Sequence, residues 1–133
     1  MKRYVLDASA LMAFFEREPG ADQVEELIRA AAASERPLLI SVVNWGEVYY
    51  SIWRKYGEDA AGRKAEEIAR LPIEVVPADL DLARLAASFK ARHKLPYADA
   101  FAAALALSRK ASLVTSDPDF KPLARQLDLL WAH

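Results

Sequence analysis

The chain has 133 residues and a mass of 14.8 kDa, a length that predicts one domain spanning residues 1–133. Hydrophobic residues make up 53% of the sequence and charged residues 28%, so a folded core is expected and a wholly disordered chain is excluded. The formal net charge of -1 excludes a strongly basic nucleic-acid coat, and the absence of cysteine excludes disulfides, thiolate metal sites and a cysteine nucleophile.

Five short aliphatic or β-branched runs predict strands, and the segments between them have helical spacing. The predicted strands are residues 3–6, 38–41, 73–76, 112–115 and 127–131. The predicted helices are residues 8–15, 21–33, 43–56, 59–71, 80–92 and 97–110. This alternation is typical of an α/β domain with a central, mostly parallel sheet of about five strands between helices.

The apolar segments predict a soluble, cytoplasmic protein with no membrane partner. The first apolar stretch is interrupted by Asp7 and then by Glu16, which a secretory signal peptide would not tolerate. The longest uninterrupted apolar run, residues 100–107, is far shorter than the roughly 20 residues needed to span a bilayer.

Glycine and histidine positions exclude several classes of enzyme. The 4 glycines are scattered, and none forms the phosphate-binding cluster of nucleotide-binding proteins. The 2 histidines, His93 and His133, are too far apart to predict a zinc site, and neither has the sequence context of a serine hydrolase. With these classes excluded, a site built from Asp and Glu carboxylates remains.

Acidic residues stand where predicted elements begin and end. Asp7 directly follows the first strand and Asp117 closely follows the fourth, so both point to the strand-end edge where open parallel sheets bind ligands. Helix capping explains either residue alone equally well. Asp99 lies on an alanine-rich helix face, where a carboxylate is costly unless it is paired or bound to metal, although it also fits a first-turn acid. Glu47, early in the helix after the second strand, equally fits a surface residue facing water or Arg54.

These four carboxylates could converge at one edge of the sheet, with every ligand atom an oxygen. Hard oxygen ligands without histidine or cysteine favour Mg²⁺ or Mn²⁺ over zinc. Carboxylates about 4 Å apart repel by ~4 kcal/mol per pair at an intermediate dielectric, a cost that a metal ion would remove. Such a metal lowers the pKa of bound water and orients it towards a phosphodiester.

Four segments of the sequence, in this order, resemble the motifs of the PIN-domain ribonucleases, specifically the VapC-type toxins of prokaryotic toxin–antitoxin pairs. They are residues 5–10 (VLDASA), 44–48 (NWGEV), 97–104 (YADAFAAA) and 113–120 (LVTSDPDF). The resemblance implies a PIN-like α/β/α sandwich. It also implies a metal-dependent endoribonuclease that hydrolyses RNA phosphodiester bonds with metal-activated water.

The resemblance implies roles for individual residues and partners. It assigns catalysis and the binding of Mg²⁺ or Mn²⁺ to Asp7, Glu47, Asp99 and Asp117. Ser9 and Ser116 would hydrogen-bond a metal-bound water or a phosphate, and Asp119 would be an auxiliary ligand, although each also fits a cap or turn residue. The expected partners are an RNA substrate, a cognate antitoxin and a second copy of the chain in a homodimer.

Other functions fit parts of the same pattern. A PIN-like domain that only binds or regulates would keep the fold, and metal-dependent cleavage would distinguish it from the nuclease. A receiver-type signalling domain expects a phosphorylatable Asp at a central strand end, where this sequence has Ile40 and Ser41. A haloacid-dehalogenase-like phosphatase expects a second Asp two residues after Asp7, and that position is Ser9.

Two further groups of residues could contact partners. The basic group could pin RNA phosphates but is more typical of a solvated helix end; it comprises Lys90, Arg92, His93 and Lys94. The aromatic group could form a protein interface or part of the core; it comprises Trp45, Tyr49, Tyr50, Trp53 and Tyr56.

Overall fold

A computed structural model describes residues 2–133 and contains a five-stranded parallel sheet. Its strands are β1 (Tyr4–Leu6), β2 (Leu38–Ser41), β3 (Ile73–Val76), β4 (Ser112–Thr115) and β5 (Leu129–Trp131). They lie in the order β3-β2-β1-β4-β5, so the chain winds outwards from β1 in one direction and later in the other. The direction of winding therefore reverses between β1 and β4. In open α/β sheets, ligands bind in the crevice that this reversal leaves at the carboxyl ends of the two strands.

Helices cover both faces of the sheet, which confirms the predicted α/β/α sandwich. They are α1 (Ala8–Phe15), α2 (Ala21–Ser34), α3 (Val42–Tyr56), α4 (Glu58–Arg70), α5 (Leu80–Arg92), α6 (Tyr97–Ser108) and a 3-10 helix at Pro118–Leu123. Successive residues of β1 enter different cores: Val5 packs with α5, α6 and the 3-10 helix, whereas Leu6 packs with α1 to α4. Both faces are buried, which explains why the strands read as continuous apolar runs.

The predicted strand bounds are confirmed for β2, β3 and β4, while β1 and β5 begin one and two residues later than predicted. Helix α3 begins directly after β2, because the Oγ of Ser41 accepts a hydrogen bond from the backbone N–H of Val43 at 3.2 Å. Helix α6 ends at Ser108, two residues earlier than predicted, before a turn in which Lys110 has a φ of 52°.

Among residues 2–133, no helix has the length and apolar character needed to cross a membrane.

Helix α6 is the most deeply buried helix that the structure describes, and residues 99–106 are buried without interruption. Five of these eight residues are alanines, whose small side chains allow α6 to contact the sheet, α3 and α5 together. In this parallel arrangement the beginning of α6 lies at the carboxyl ends of the strands. Asp99, the third residue of the helix, is thereby placed at the edge where β1 and β4 end.

The 3-10 helix after β4 is the element that the sequence patterns do not predict. Asp117 caps it by accepting a hydrogen bond from the backbone N–H of Asp119 at 2.9 Å, and Pro118 occupies its first position. Phe120, which is fully buried, anchors this turn in the core beneath α5 and α6. The anchoring fixes the backbone that carries two of the predicted acids.

We expect Phe120→Ala to lower the free energy of unfolding by about 3 to 5 kcal/mol, because it leaves a cavity under the 3-10 helix. Chemical denaturation of both proteins measures the difference. The neighbouring exposed substitution Lys121→Ala is the control and should change stability by less than about 0.5 kcal/mol. Equal effects of the two substitutions would contradict the anchoring role of Phe120.

Candidate active site

Asp7 joins the end of β1 to the beginning of α1 through its side chain. One carboxylate oxygen, Oδ1, accepts hydrogen bonds from the backbone N–H of Ala10 at 2.8 Å and from the Oγ of Ser9 at 2.7 Å. The other, Oδ2, accepts a hydrogen bond from the Oγ1 of Thr115 at the end of β4. Asp7 is only 2% exposed, so these three donors replace the water that the carboxylate loses on folding.

Burial raises the pKa of Asp7 to about 6. The hydrogen bonds from Thr115, Ala10 and Ser9 oppose this rise, and the neighbouring charge of Asp117 adds to it. Asp7 also caps α1, as the sequence suggested, by accepting the hydrogen bond from the backbone N–H of Ala10. Capping does not require a charge here, however, and the charge is costly at this depth.

Asp99 lies at the beginning of α6 and is 9% exposed. Its Oδ2 is buried and has no hydrogen-bond partner among the described residues. Burial raises the pKa of Asp99 to about 7, and the negative charges of three other acids add to the rise. Those acids, in order of decreasing effect, are Asp117, Asp7 and Glu47.

The tightest acidic group combines Asp99 with Asp117 and Asp119, and one carboxylate oxygen from each lies within 4.8 Å of the others. Asp117 is half-buried and Asp119 is exposed. The sequence singled out Asp7 and Glu47 beside Asp99 and Asp117, with Asp119 as an auxiliary residue. The structure places Asp119 in the tight group, and it places Asp7 and Glu47 around that group, within electrostatic reach of Asp99.

Glu47 lies one turn into α3, and its Oε1 accepts a hydrogen bond from the Nδ2 of Asn44 at 2.9 Å. The same Nδ2 donates to the backbone oxygen of Ala98 at 3.0 Å, next to Asp99 in α6. The alternative pairing of Glu47 with Arg54 is not observed, since the Arg54 guanidinium lies 4.9 Å from the centre of the Tyr50 ring.

The two predicted serines make different contacts. The Oγ of Ser9 donates to Asp7 and accepts a hydrogen bond from the backbone N–H of Ser116 at 3.1 Å. It also lies 3.3 Å from the Oγ1 of Thr115. Ser116 takes part through its backbone N–H, and the residue is exposed. Ser9 is thus engaged in holding Asp7 and in joining β4 to α1.

Two buried polar residues at this site were missed in the sequence analysis. Thr115 donates to Asp7 and accepts a hydrogen bond from the backbone N–H of Asp117 at 2.9 Å, so it bridges two of the acids. Asn44 bridges Glu47 to the beginning of α6. Both lie inside the motif segments, two residues before Asp117 and three residues before Glu47, and this spacing was the available signal.

The donor set fits a hard divalent cation. The tight group offers carboxylate oxygens alone, and no residue that the structure describes donates to the buried Oδ2 of Asp99. None of the ion pairs seen among residues 2–133 includes any of the five acids. Asp99, Asp117 and Asp119 could therefore hold a cation such as Mg²⁺ or Mn²⁺, whose charge would offset their repulsion.

The sequence profile of the PIN domain family matches residues 4–126. The chain therefore belongs to the PIN domain family, which confirms the resemblance that the four motifs indicated. No curated protein matches the chain at a significant level of sequence similarity.

Solved structures of toxin–antitoxin proteins share the fold. A toxin–antitoxin complex from Klebsiella pneumoniae is 20% identical, with a TM-score of 0.74 and coverage of 98% of both chains. VapBC2 from Rickettsia felis, bound to a DNA fragment from its promoter, is 16% identical, with a TM-score of 0.77 and the same coverage of 98%. The sarcin-ricin loop cleaving toxin VapC20 from Mycobacterium tuberculosis is 21% identical, with a TM-score of 0.65 and coverage of 90% of this chain and 93% of its own.

We expect the metal-free protein to lose stability as the pH rises from 5 to about 8. The pKa values of Asp7 and Asp99 are raised in the folded state, so between about pH 4 and 7 the folded protein binds more protons than the unfolded chain. Stability falls with rising pH wherever this holds. The raised pKa of Asp7 alone accounts for roughly 3 kcal/mol over the whole window from about pH 4 to 7, and about 1.4 kcal/mol of this falls above pH 5. Urea denaturation in chelator at several pH values measures the slope.

In this experiment Asp99→Asn should flatten the pH dependence, because it removes one of the two groups that take up protons on folding. The exposed substitution Asp59→Asn is the matched control and should leave the slope unchanged. Wild-type stability that is constant or increases from pH 5 to 8 would show that the buried acids do not carry this cost.

We expect Thr115→Val to raise the pKa of Asp7 further, because the Thr115 hydrogen bond is the strongest influence that lowers it. The substitution keeps the shape of the side chain but also removes the acceptor of the Asp117 N–H, so stability should fall by about 1 to 3 kcal/mol. Carbon-detected NMR titration of the Asp7 carboxyl and chemical denaturation measure the two effects. Thr115→Ser retains the hydroxyl and should resemble wild type; an unchanged Asp7 pKa in Thr115→Val would disprove the bridge.

Proposed function

We propose that this chain is a metal-dependent endoribonuclease that acts as the toxin of a toxin–antitoxin pair. The observation that carries the proposal is the acidic group at the switch point of the sheet. There the buried Oδ2 of Asp99 has no donor among residues 2–133 and faces a surplus of negative charge. Membership of the PIN domain family supports it. The RNA-cleaving toxin VapC20, which shares the fold, supports RNA as the substrate.

In this proposal Asp99, Asp117 and Asp119 hold Mg²⁺ or Mn²⁺, and Asp7 and Glu47 complete the acidic surroundings. When bound, the metal lowers the pKa of a coordinated water and neutralises charge that develops on the phosphodiester.

The hydrogen bonds from Ser9 and Thr115 hold the Asp7 carboxylate in one orientation. They prevent it from turning away from the negative charges of the other acids. Ser116 and Asp119 are both exposed, and in this proposal Ser116 contacts substrate or water while Asp119 holds the metal from the same rim.

We propose that RNA phosphates contact the basic segment before α6 through Arg92 and Lys94, both of which are exposed. The other two basic residues there have structural partners. The Nζ of Lys90 donates to the backbone oxygen of Leu95 at 2.9 Å, and the Nε2 of His93 lies 3.3 Å from the Nε2 of Gln126. These contacts hold the loop that leads into the helix carrying Asp99.

An antitoxin and a second copy of the chain are the proposed protein partners, and the cytoplasm is the proposed location. Toxin–antitoxin complexes among the fold relatives support an antitoxin. On α3, Trp45 and Tyr49 stack on each other and pack partly against the core. Tyr50, Trp53 and Tyr56 are between 43% and 55% exposed, which supplies apolar surface for such contacts.

Incubation of total RNA with the purified protein, followed by sequencing of the new RNA ends, tests the proposal. We expect cleavage in Mg²⁺ or Mn²⁺ and none in chelator. Asp99→Asn and Asp7→Asn should each slow cleavage roughly 100-fold or more while the protein stays folded, because each removes a carboxylate from the metal surroundings.

The control for this experiment is again Asp59→Asn, which should cleave at the wild-type rate. Wild-type cleavage by Asp99→Asn would reject the assignment of the site. A wild-type protein that binds RNA but leaves it intact with either metal would favour the binding-only alternative.

A further inference from the structure

We propose that Asn44 is a positioning residue that holds Glu47 beside Asp99. The inference rests on the proposed function, since it concerns the same acids. Asn44 is the third residue of α3 and is fully buried. Its side chain touches both elements that carry these two carboxylates.

The orientation of the Asn44 amide follows from its neighbours. The two atoms next to its Nδ2 are the carboxylate Oε1 of Glu47 at 2.9 Å and the backbone oxygen of Ala98 at 3.0 Å. Both neighbours are acceptors, so the NH₂ group must face them and donate both of its hydrogens. The amide oxygen is thereby directed elsewhere, and no donor in the described part of the chain reaches it.

The unsatisfied amide oxygen is a cost of having Asn44 at this position. Among residues 2–133, three buried side-chain atoms lack a hydrogen-bond partner, and two of them are Asn44 Oδ1 and Asp99 Oδ2. A buried acceptor without a donor is destabilising, and native proteins rarely retain one without a reason. Because the NH₂ group of an amide always comes with its oxygen, this cost is tolerated for the sake of the two hydrogen bonds that the NH₂ group donates.

The two hydrogen bonds set the separation of two negative groups. Ala98 directly precedes Asp99, so the amide is bonded to the backbone beside one carboxylate and to the other carboxylate itself. Glu47 is only half-buried and has a flexible side chain, and repulsion from the other acids would drive it towards water. The Asn44 NH₂ group opposes this movement and keeps Glu47 in the site before any cation arrives.

A double-mutant cycle measured by calorimetric titration with Mn²⁺ tests this role. Asn44→Leu has a similar volume but no hydrogen-bonding group, and Glu47→Ala removes the group on which Asn44 acts. We expect Asn44→Leu to weaken Mn²⁺ binding roughly 10-fold, as loss of a residue in the surroundings of a metal site does, because Glu47 is then free to turn away from the cation. In the Glu47→Ala background the same substitution should have no further effect, because its target is gone.

The matched control is Ile52→Ala, which removes buried packing from the same helix two turns away. It should lower the melting temperature and leave the Mn²⁺ affinity unchanged, whereas a structural role for Asn44 would make the two variants alike. If Asn44→Leu does not fold, Asn44→Ser enters the same cycle.

The outcomes separate the two proposals. A wild-type protein that does not bind Mn²⁺ overturns the proposed function, and this inference with it. A wild-type protein that binds Mn²⁺ while Asn44→Leu binds equally well overturns the inference alone. An additive loss in the double mutant also overturns it, because Asn44 would then act independently of Glu47.

Discussion

Burial of several acids together at the carboxyl ends of β1 and β4 is the constraint on which the rest of the site depends. Loss of water and the proximity of like charges raise the pKa values of Asp7 to about 6 and of Asp99 to about 7. The surrounding elements offset part of this cost with hydrogen bonds to Asp7 and Glu47. No described residue donates a hydrogen bond to the buried Oδ2 of Asp99 in the same way. The uncompensated cost of burying negative charge is therefore greatest at the beginning of α6.

Folding and site assembly use the same contacts. Asp7 begins α1, joins β4 through Thr115 and lies beside the acidic group, so one side chain links β1, α1 and β4 at the site. Asn44 couples α3 to α6 in the same way. A site built from several elements is therefore held in place by hydrogen bonds between those elements.

Much of the fold follows from local patterns, whereas part of the site does not. The apolar strands and the alanine-rich α6 can be predicted from the sequence. Both are buried on opposite faces, so their apolar residues are continuous and do not alternate with polar ones. The 3-10 helix was missed because prolines such as Pro118 and Pro122 are typical of loops. The position of Asp119 in the tight acidic group depends on this helix. Asn44 and Thr115 were missed because their partners lie 54 and 108 residues away in the chain.

The choice of acid over amide at these positions favours a ligand role over a local structural one. Asn caps helices as well as Asp does, so a residue needed only to begin α1 would not require a buried charge at position 7. A first-turn acid gains a few tenths to 1 kcal/mol from the helix dipole when it is exposed. Asp99 is buried, and its raised pKa shows that burial and neighbouring charges outweigh that gain. A cation held by these carboxylates would reverse the sign of this balance, which neither local role can do.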